Sequence, residues 1–505
     1  MKPICRILCL LALLVPRTSR ADVPAYEGPI HLTSLPSNSM IMSAYSNGYG
    51  QHILTTNGVP GSSAAYFLIG NDGNPVHTSA FSETNHYGSI TGYQNRLYAA
   101  FDHGINQIRV YYSDDAGESW TQSVVYTPGV TVYDVDVCAD EDGCHVVWDT
   151  EGGTGEVYYV RYDPLGDQFL GFHTITEPST GADAGRFPKI LEIGDRLVVS
   201  FVTTDLASNC GASRDAAISN GTPVWDASAR LTPTSFNFSN QSIAPLGDYL
   251  HMLLVEHSGA GSGERICVTS RPLSGDWDTP AQLGSERYFQ PTEELNPGRQ
   301  LVNSEDSIYA AYCSQDPLNN RFTVEIRTNP PTNWSSDHIF QEWVDPVIWH
   351  PTISASATGQ YAFWVYVNNT DRWMARRVRS LIGSIAENMF WTGNNWVSDD
   401  VTIESEKTVT AWAGSVTTVL ANKKIIVAEG ATLIVKDNAQ FKFEPGASID
   451  VQGSLIVQGT VQHPAIFTST TPSGSWSGID IGASATDCSI DYAHFSNAST
   501  AITVP

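Results

Sequence analysis

Counting three residues back from Ile90, Val137, Ile190, Ile243, Val302 and Ile353 gives Tyr87, Asp134, Phe187, Asn240, Arg299 and His350. One residue further back stand His86, Tyr133, Arg186, Ser239, Gly298 and Trp349. Aromatic faces stack on sugar rings, arginine forks a carboxylate, and aspartate or histidine can move a proton. The chemistry within reach is therefore recognition of a glycan or an acidic sugar. Mutual hydrogen bonds and channel waters would satisfy the same groups without any ligand. The ligand-binding candidates are His86, Tyr87, Asp134, Arg186, Asn240, Arg299, Trp349 and His350.

Other constellations carry less. Asp134, Asp136, Asp140, Glu141 and Asp142 could offer oxygens to Ca²⁺, yet their spacing matches no calcium loop and solvent satisfies an acidic turn. No cofactor is expected, and no cysteine spacing suits a metal. Cys138 and Cys144 flank a short turn and are the candidate disulfide across a hairpin.

The elements that must position these residues are short strands. Ser89-Ile90 and Leu97–Phe101, Val135–Val137 and His145–Trp148, and Thr352-Ile353 and Tyr361–Trp364 pair an alternating run with a more apolar one across a turn. An aromatic residue recurs behind them at intervals of about 50 to 60 residues, at Trp120, Phe169, Trp225, Trp277, Trp334 and Trp396. The best preserved repeat end reads Ser113-Asp114-Asp115-Ala116-Gly117-Glu118-Ser119-Trp120. Asp115 can accept hydrogen bonds from N–H groups of its own turn, Gly117 supplies a positive φ, and Trp120 is left to pack between neighbouring sheets.

This Ser-x-Asp-x-Gly-x-Ser-Trp string, with Ser113, Asp115, Gly117 and Trp120 as its structural residues, resembles the Asp-box of sialidase-like β-propellers. The resemblance covers about 350 residues and implies four-stranded blades around an axis. Six blades lie between about 84 and 396, and residues 38–83 supply a seventh unless they only cap the ring. Exo-sialidases use an arginine cluster, a tyrosine nucleophile and an acid/base aspartate. The resemblance would give these roles to Arg186 (in Arg186-Phe187-Pro188, nearest to the family's Arg-Ile-Pro), Arg299, Tyr133 and Asp134. A third arginine stays open among Arg265, Arg321 and Arg327.

After about residue 400 the pattern changes. Glu429-Gly430-Ala431-Thr432-Leu433-Ile434-Val435 is echoed by Pro445-Gly446-Ala447-Ser448-Ile449-Asp450-Val451, then by Gly453-Ser454-Leu455-Ile456-Val457. β-branched runs cut by single glycines suit stacked coils with apolar ladders inside. The stretch resembles right-handed parallel β-helix regions of large secreted bacterial proteins. Residues 401–505 contain no arginine, which argues against polysaccharide-lyase chemistry there. Ala501–Val504 reads as mid-coil, so further coils are expected after Pro505.

Lys2 and Arg6, the apolar Ile7–Val15 and Ser19-Arg20-Ala21 read as a secretory signal, too short to span a bilayer. The expected organisation is a signal over 1–21, a propeller over 22–398 and a parallel β-helix over 399–505, all-β throughout. Fifty-three acidic against 27 basic residues give a net charge of −26 and disfavour nucleic acid and anionic membranes. The reading is a secreted or cell-surface modular protein that binds a glycan or polysaccharide, with adhesion as its role and the β-helix as stalk. The alternative is an exo-acting glycoside hydrolase working at the channel mouth.

Overall fold

The computed structural model describes residues 26–505 without 32–39, 48–49, 57–62, 70–74, 85–87, 104–105, 151–154, 177–183, 205–208, 220–221, 227–228, 231–236, 258–263, 274, 284–286, 289–300, 305–306, 317–320, 330–334, 345–347, 357–358, 367–371, 378–380, 387 and 392–393. The expected signal over 1–21 lies outside the described residues.

Among the described residues, seven antiparallel blades form the first architecture. Their innermost strands are Met40–Asn47, Gly88–Tyr93, Tyr133–Asp140, Ala184–Ile193, Asn237–Leu246, Leu301–Ser304 and Ile348–Ser356. Each neighbours the next, and the seventh returns to the first, which closes the ring. The segment over 38–83 is thus a full blade, of four strands. The seventh blade takes three strands from 348–377, and its outermost strand is Tyr26–His31, which pairs antiparallel with Arg372–Arg377.

The repeated aromatics hold blade to blade. Trp120 of the second blade meets Tyr66 of the first edge-on, with ring centroids 5.0 Å apart, and Phe81 at 5.2 Å. Trp225 of the fourth blade meets Tyr159 of the third at 5.2 Å, in the same edge-on manner. Trp277 of the fifth donates its indole N–H to Ser213 Oγ of the fourth, 3.1 Å away. Phe169 of the third stacks on Tyr126 of the second, at 5.0 Å. Tyr66, Tyr159 and Ser213 occupy one register position on the third strands of their blades. The markers therefore stand at equivalent corners. Trp334 lies outside the described residues.

The turn before Trp120 is built as its sequence requires. Gly117 N–H donates to Ser113 Oγ (2.8 Å), and Ser119 N–H to Asp115 Oδ1 (2.8 Å). Gly117 has φ +93°, and a Cβ there would lie 2.1 Å from Tyr66 Oη. No other residue fits that approach.

Cys138 and Cys144 correct the disulfide expectation. Cys138 pairs with His145 across the hairpin, while Cys144 pairs with Ala139. Alternation then sends the two thiols to opposite faces of the blade. Cys138 joins the core shared with the fourth blade, and Cys144 the core shared with the second. Both are buried, and neither is in a disulfide.

The second architecture is a parallel β-solenoid. Its ladders already include Leu381–Ile385 and Asn394–Ile403, ahead of the 399 expected from the sequence. Trp396, read as a blade marker, stands in a solenoid strand opposite Thr418. Three faces repeat coil by coil. One stacks Val401, Ile425, Ile449 and Ile479, and a second stacks Val409, Leu433 and Leu455. The third carries an aromatic ladder the sequence reading did not anticipate. Phe441 lies over Phe467 at 5.3 Å and Phe467 over Phe495 at 4.9 Å, with the ring planes nearly parallel. The echoed glycines explain themselves: Gly430 and Gly446 turn the corner at φ +79° and +77°, and the alanine after each is buried.

Candidate functional site

The channel runs along the ring axis. A cavity of about 270 Å³ within it receives residues from all seven innermost strands, among them Ser46, Thr91, Ala139, Glu192, Pro245, Asn303 and Ser354. Four of the six aligned residues, Ile90, Ile243, Val302 and Ile353, also line it, whereas the third and fourth blades contribute Cys138, Ala139, Leu191 and Glu192 in place of Val137 and Ile190. Ser46, Ala139, Glu192, Pro245 and Ser354 belong to the later halves of their strands. Burial, then Asp140 and Glu141, push the Glu192 carboxyl up to about 7.

The ring position three residues upstream coincides with a recurring irregularity. Pairing with the second strand slips between Tyr133 and Asp136, between Arg186 and Lys189, between Ser239 and Gln241, and between Trp349 and Thr352. Asp134, Phe187, Asn240 and His350 are thus bulge residues. Asp134 has φ +35° and Phe187 φ +55°. A bulge re-aims its side chain out of the regular alternation, a frequent device beside binding sites.

Between the third and fourth blades four charged groups converge. Asp134 is buried, and so is Lys189 on the neighbouring inner strand. Asp149 ends the strand Gly143–Asp149, pairs with Tyr133 in the ladder, and is 2% exposed. Its Oδ2 accepts the backbone N–H of Phe187 at 2.9 Å. Arg186 and Tyr133 are half-buried. Burial pushes the Asp134 carboxyl up to about 7 against the pull of Lys189 and Arg186. Burial, then the neighbouring Asp134, raise Asp149 well above the carboxylate range. The arrangement places two carboxyls that resist ionisation beside two cations.

Of the sequence candidates, Asp134, Arg186 and Tyr133 come together here. His86, Tyr87 and Arg299 lie outside the described residues. Asn240, Trp349 and His350 are described as strand residues only. Asp149 and Lys189 were missed. Lys189 directly precedes an aligned position, Ile190, where other inner strands carry Ser89 or Ser242, and that mismatch was a usable signal.

The acidic run proposed for Ca²⁺ is divided. Asp136 bridges blades, accepting Ser89 Oγ–H at 2.8 Å and the Ile190 N–H at 2.9 Å. Asp140 faces His145 Nε2 at 2.9 Å at the hairpin end of the same strand and accepts the Asp142 N–H. Asp142 faces Arg161 at 3.5 Å. Strand geometry, at about 3.3 Å per residue, keeps Asp134 well away from Asp140.

No family model and no curated protein matches the chain. Among solved structures it is similar to an ulvan lyase bound to -[GlcA(1-4)Rha3S]-, at 10% identity over 69% of this chain and 93% of that one, with a TM-score of 0.44. A Trypanosoma rangeli sialidase gives 11% identity, 59% and 56% coverage, and a TM-score of 0.41. A Penicillium chrysogenum α-L-arabinanase complexed with arabinobiose gives 8%, 58% and 92%, and 0.38. Each likeness is one of fold.

Proposed function

We propose that this chain is a secreted or cell-surface protein that binds a glycan at the channel mouth between its third and fourth blades, with the solenoid as a stalk. One observation carries the reading: Arg186 and Tyr133 remain partly exposed over the buried Asp134, Asp149 and Lys189. Donors and acceptors set on rigid strands suit sugar hydroxyls and carboxylates. The sialidase-like Asp-box and the acidic surface agree with an extracellular glycan partner.

A glycan array followed by calorimetry tests it. Binding to at least one glycan class is expected, with Arg186→Ala weakening affinity about tenfold or more, the loss of a charge-assisted hydrogen bond. An array with no hits, or an Arg186→Ala variant that binds as well as the parent, rejects the proposal.

A second reading is exo-acting glycoside hydrolysis. It is favoured by Asp134, an acid still partly protonated near neutrality, next to Tyr133. Turnover of a fluorogenic sialoside that Arg186→Ala abolishes would replace binding alone with catalysis.

A further inference from the structure

We propose that Asp149 is the positioning residue for Arg186: from the third blade it grips the Phe187 N–H of the fourth and fixes the bulge from which Arg186 projects. The inference rests on the reading that Arg186 meets the ligand, but its structural half stands alone.

Local sequence does not favour that bulge. Phe187 has φ +55°, a left-handed conformation costly for a bulky side chain. It also precedes Pro188, and a residue before proline is pushed toward extended backbone. The ladder resumes only at Lys189, opposite Ser200, after Arg186 opposite Val202. Pro188 has no N–H to give, and the Phe187 N–H is directed away from that ladder. It is taken up across the blade boundary by Asp149 Oδ2 at 2.9 Å. A conformation that its own segment resists must be held from outside.

Asp149 suits the task. It is 2% exposed, and its other oxygen, Oδ1, is buried without a hydrogen-bond partner. Asp134 from its own blade and Arg186 and Lys189 from the next are the charged groups that act on it. Asp134 disfavours its ionised form, and the two cations favour it. Among the described residues the carboxyl thus has one directional bond, and that bond fixes the residue following Arg186.

Amide hydrogen exchange and a crystal structure of variants test this without any ligand. Asp149→Leu should speed exchange at the Phe187 N–H at least tenfold and displace the Arg186 guanidinium. Asp149→Asn keeps an acceptor oxygen and should restore both. Should Asp149→Leu fail to fold, Asp149→Ser, too short to reach, carries the same test. Unchanged Phe187 exchange, or an unmoved Arg186, overturns the proposal. In the binding arm, Asp149→Leu should weaken glycan affinity about as much as Arg186→Ala, with Asp149→Asn near the parent. Full affinity in Asp149→Leu alongside loss in Arg186→Ala also overturns it. If Arg186→Ala itself binds normally, the glycan reading fails, and the exchange and structural arms still decide the role of Asp149.

Discussion

The phenol of Tyr66 donates a 3.1 Å hydrogen bond to the carbonyl of Ala116, inside the turn that ends at Trp120. The same oxygen lies 2.8 Å from His52 Nδ1, so one hydroxyl joins a strand of the first blade to the box of the second. The third blade repeats half of this arrangement, with His145 Nδ1 2.8 Å from Tyr159 Oη.

Loss of this joint should be costly. Trp120→Ala is expected to destabilise the propeller by about 3–5 kcal/mol, the range for removing a large aromatic from a core. Tyr66→Phe keeps the ring and leaves the His52 nitrogen unpaired, for about 1–3 kcal/mol. Denaturant melts of the two variants check the order; equal losses would mean the hydroxyl rather than the ring carries the contact.

Buried histidines predict an acid limit. Burial lowers His52 from 6.5 to about 3 and His251 to about 4. The unfolded chain takes up these protons near pH 6.5 and the folded chain does not. Stability therefore falls as pH drops below 6.5, by about 1.4 kcal/mol per unit for each group until its folded value is reached. His52→Gln should flatten the profile of melting temperature between pH 6 and 4.

Asp134 acts in the opposite direction. Its folded carboxyl titrates near 7 and its unfolded one near 3.8. Its contribution is fully present below 3.8 and is lost as pH rises toward 7. Asp134→Asn should gain stability relative to the parent as pH climbs through that window, with little difference at pH 4. Calorimetry across the range would show it, and a constant offset would refute the assignment.

The thiols give a chemical test. Cys138 and Cys144 should resist a thiol reagent in the native protein and react at once in denaturant without reductant. A mass lower by two hydrogens in a peptide containing both would contradict the blade register.

In the solenoid, Phe467→Ala removes the middle ring of the Phe441–Phe467–Phe495 stack. About 3–5 kcal/mol is expected, with the loss confined to the solenoid's own unfolding transition. Two-transition calorimetry separates it from the propeller.

Much of the fold was legible because it depends on local chemistry that repeats. Trp120, Phe169, Trp225 and Trp277 announce blade corners, and Gly430 and Gly446 announce coil corners. Trp396 misled because a large aromatic marks a blade edge and a solenoid strand alike. The site was half legible. Asp134 and Arg186 fell out of the inner-strand register, whereas Asp149 ends a second strand and acquires its role only across a blade boundary. Asp102 holds the matching place in the second blade, so an aspartate there is not distinctive by sequence. Cys138 and Cys144 were misread because closeness in sequence conceals the parity of a strand.

The pairing of Tyr26–His31 with Arg372–Arg377 has a bearing on biogenesis. A ribosome delivers the partner of that early strand only after nearly the whole ring has emerged. Until then the opening segment has no strand to pair with. Loss of Tyr26–His31 would leave the seventh blade three-stranded, with Arg372–Arg377 as an open sheet edge.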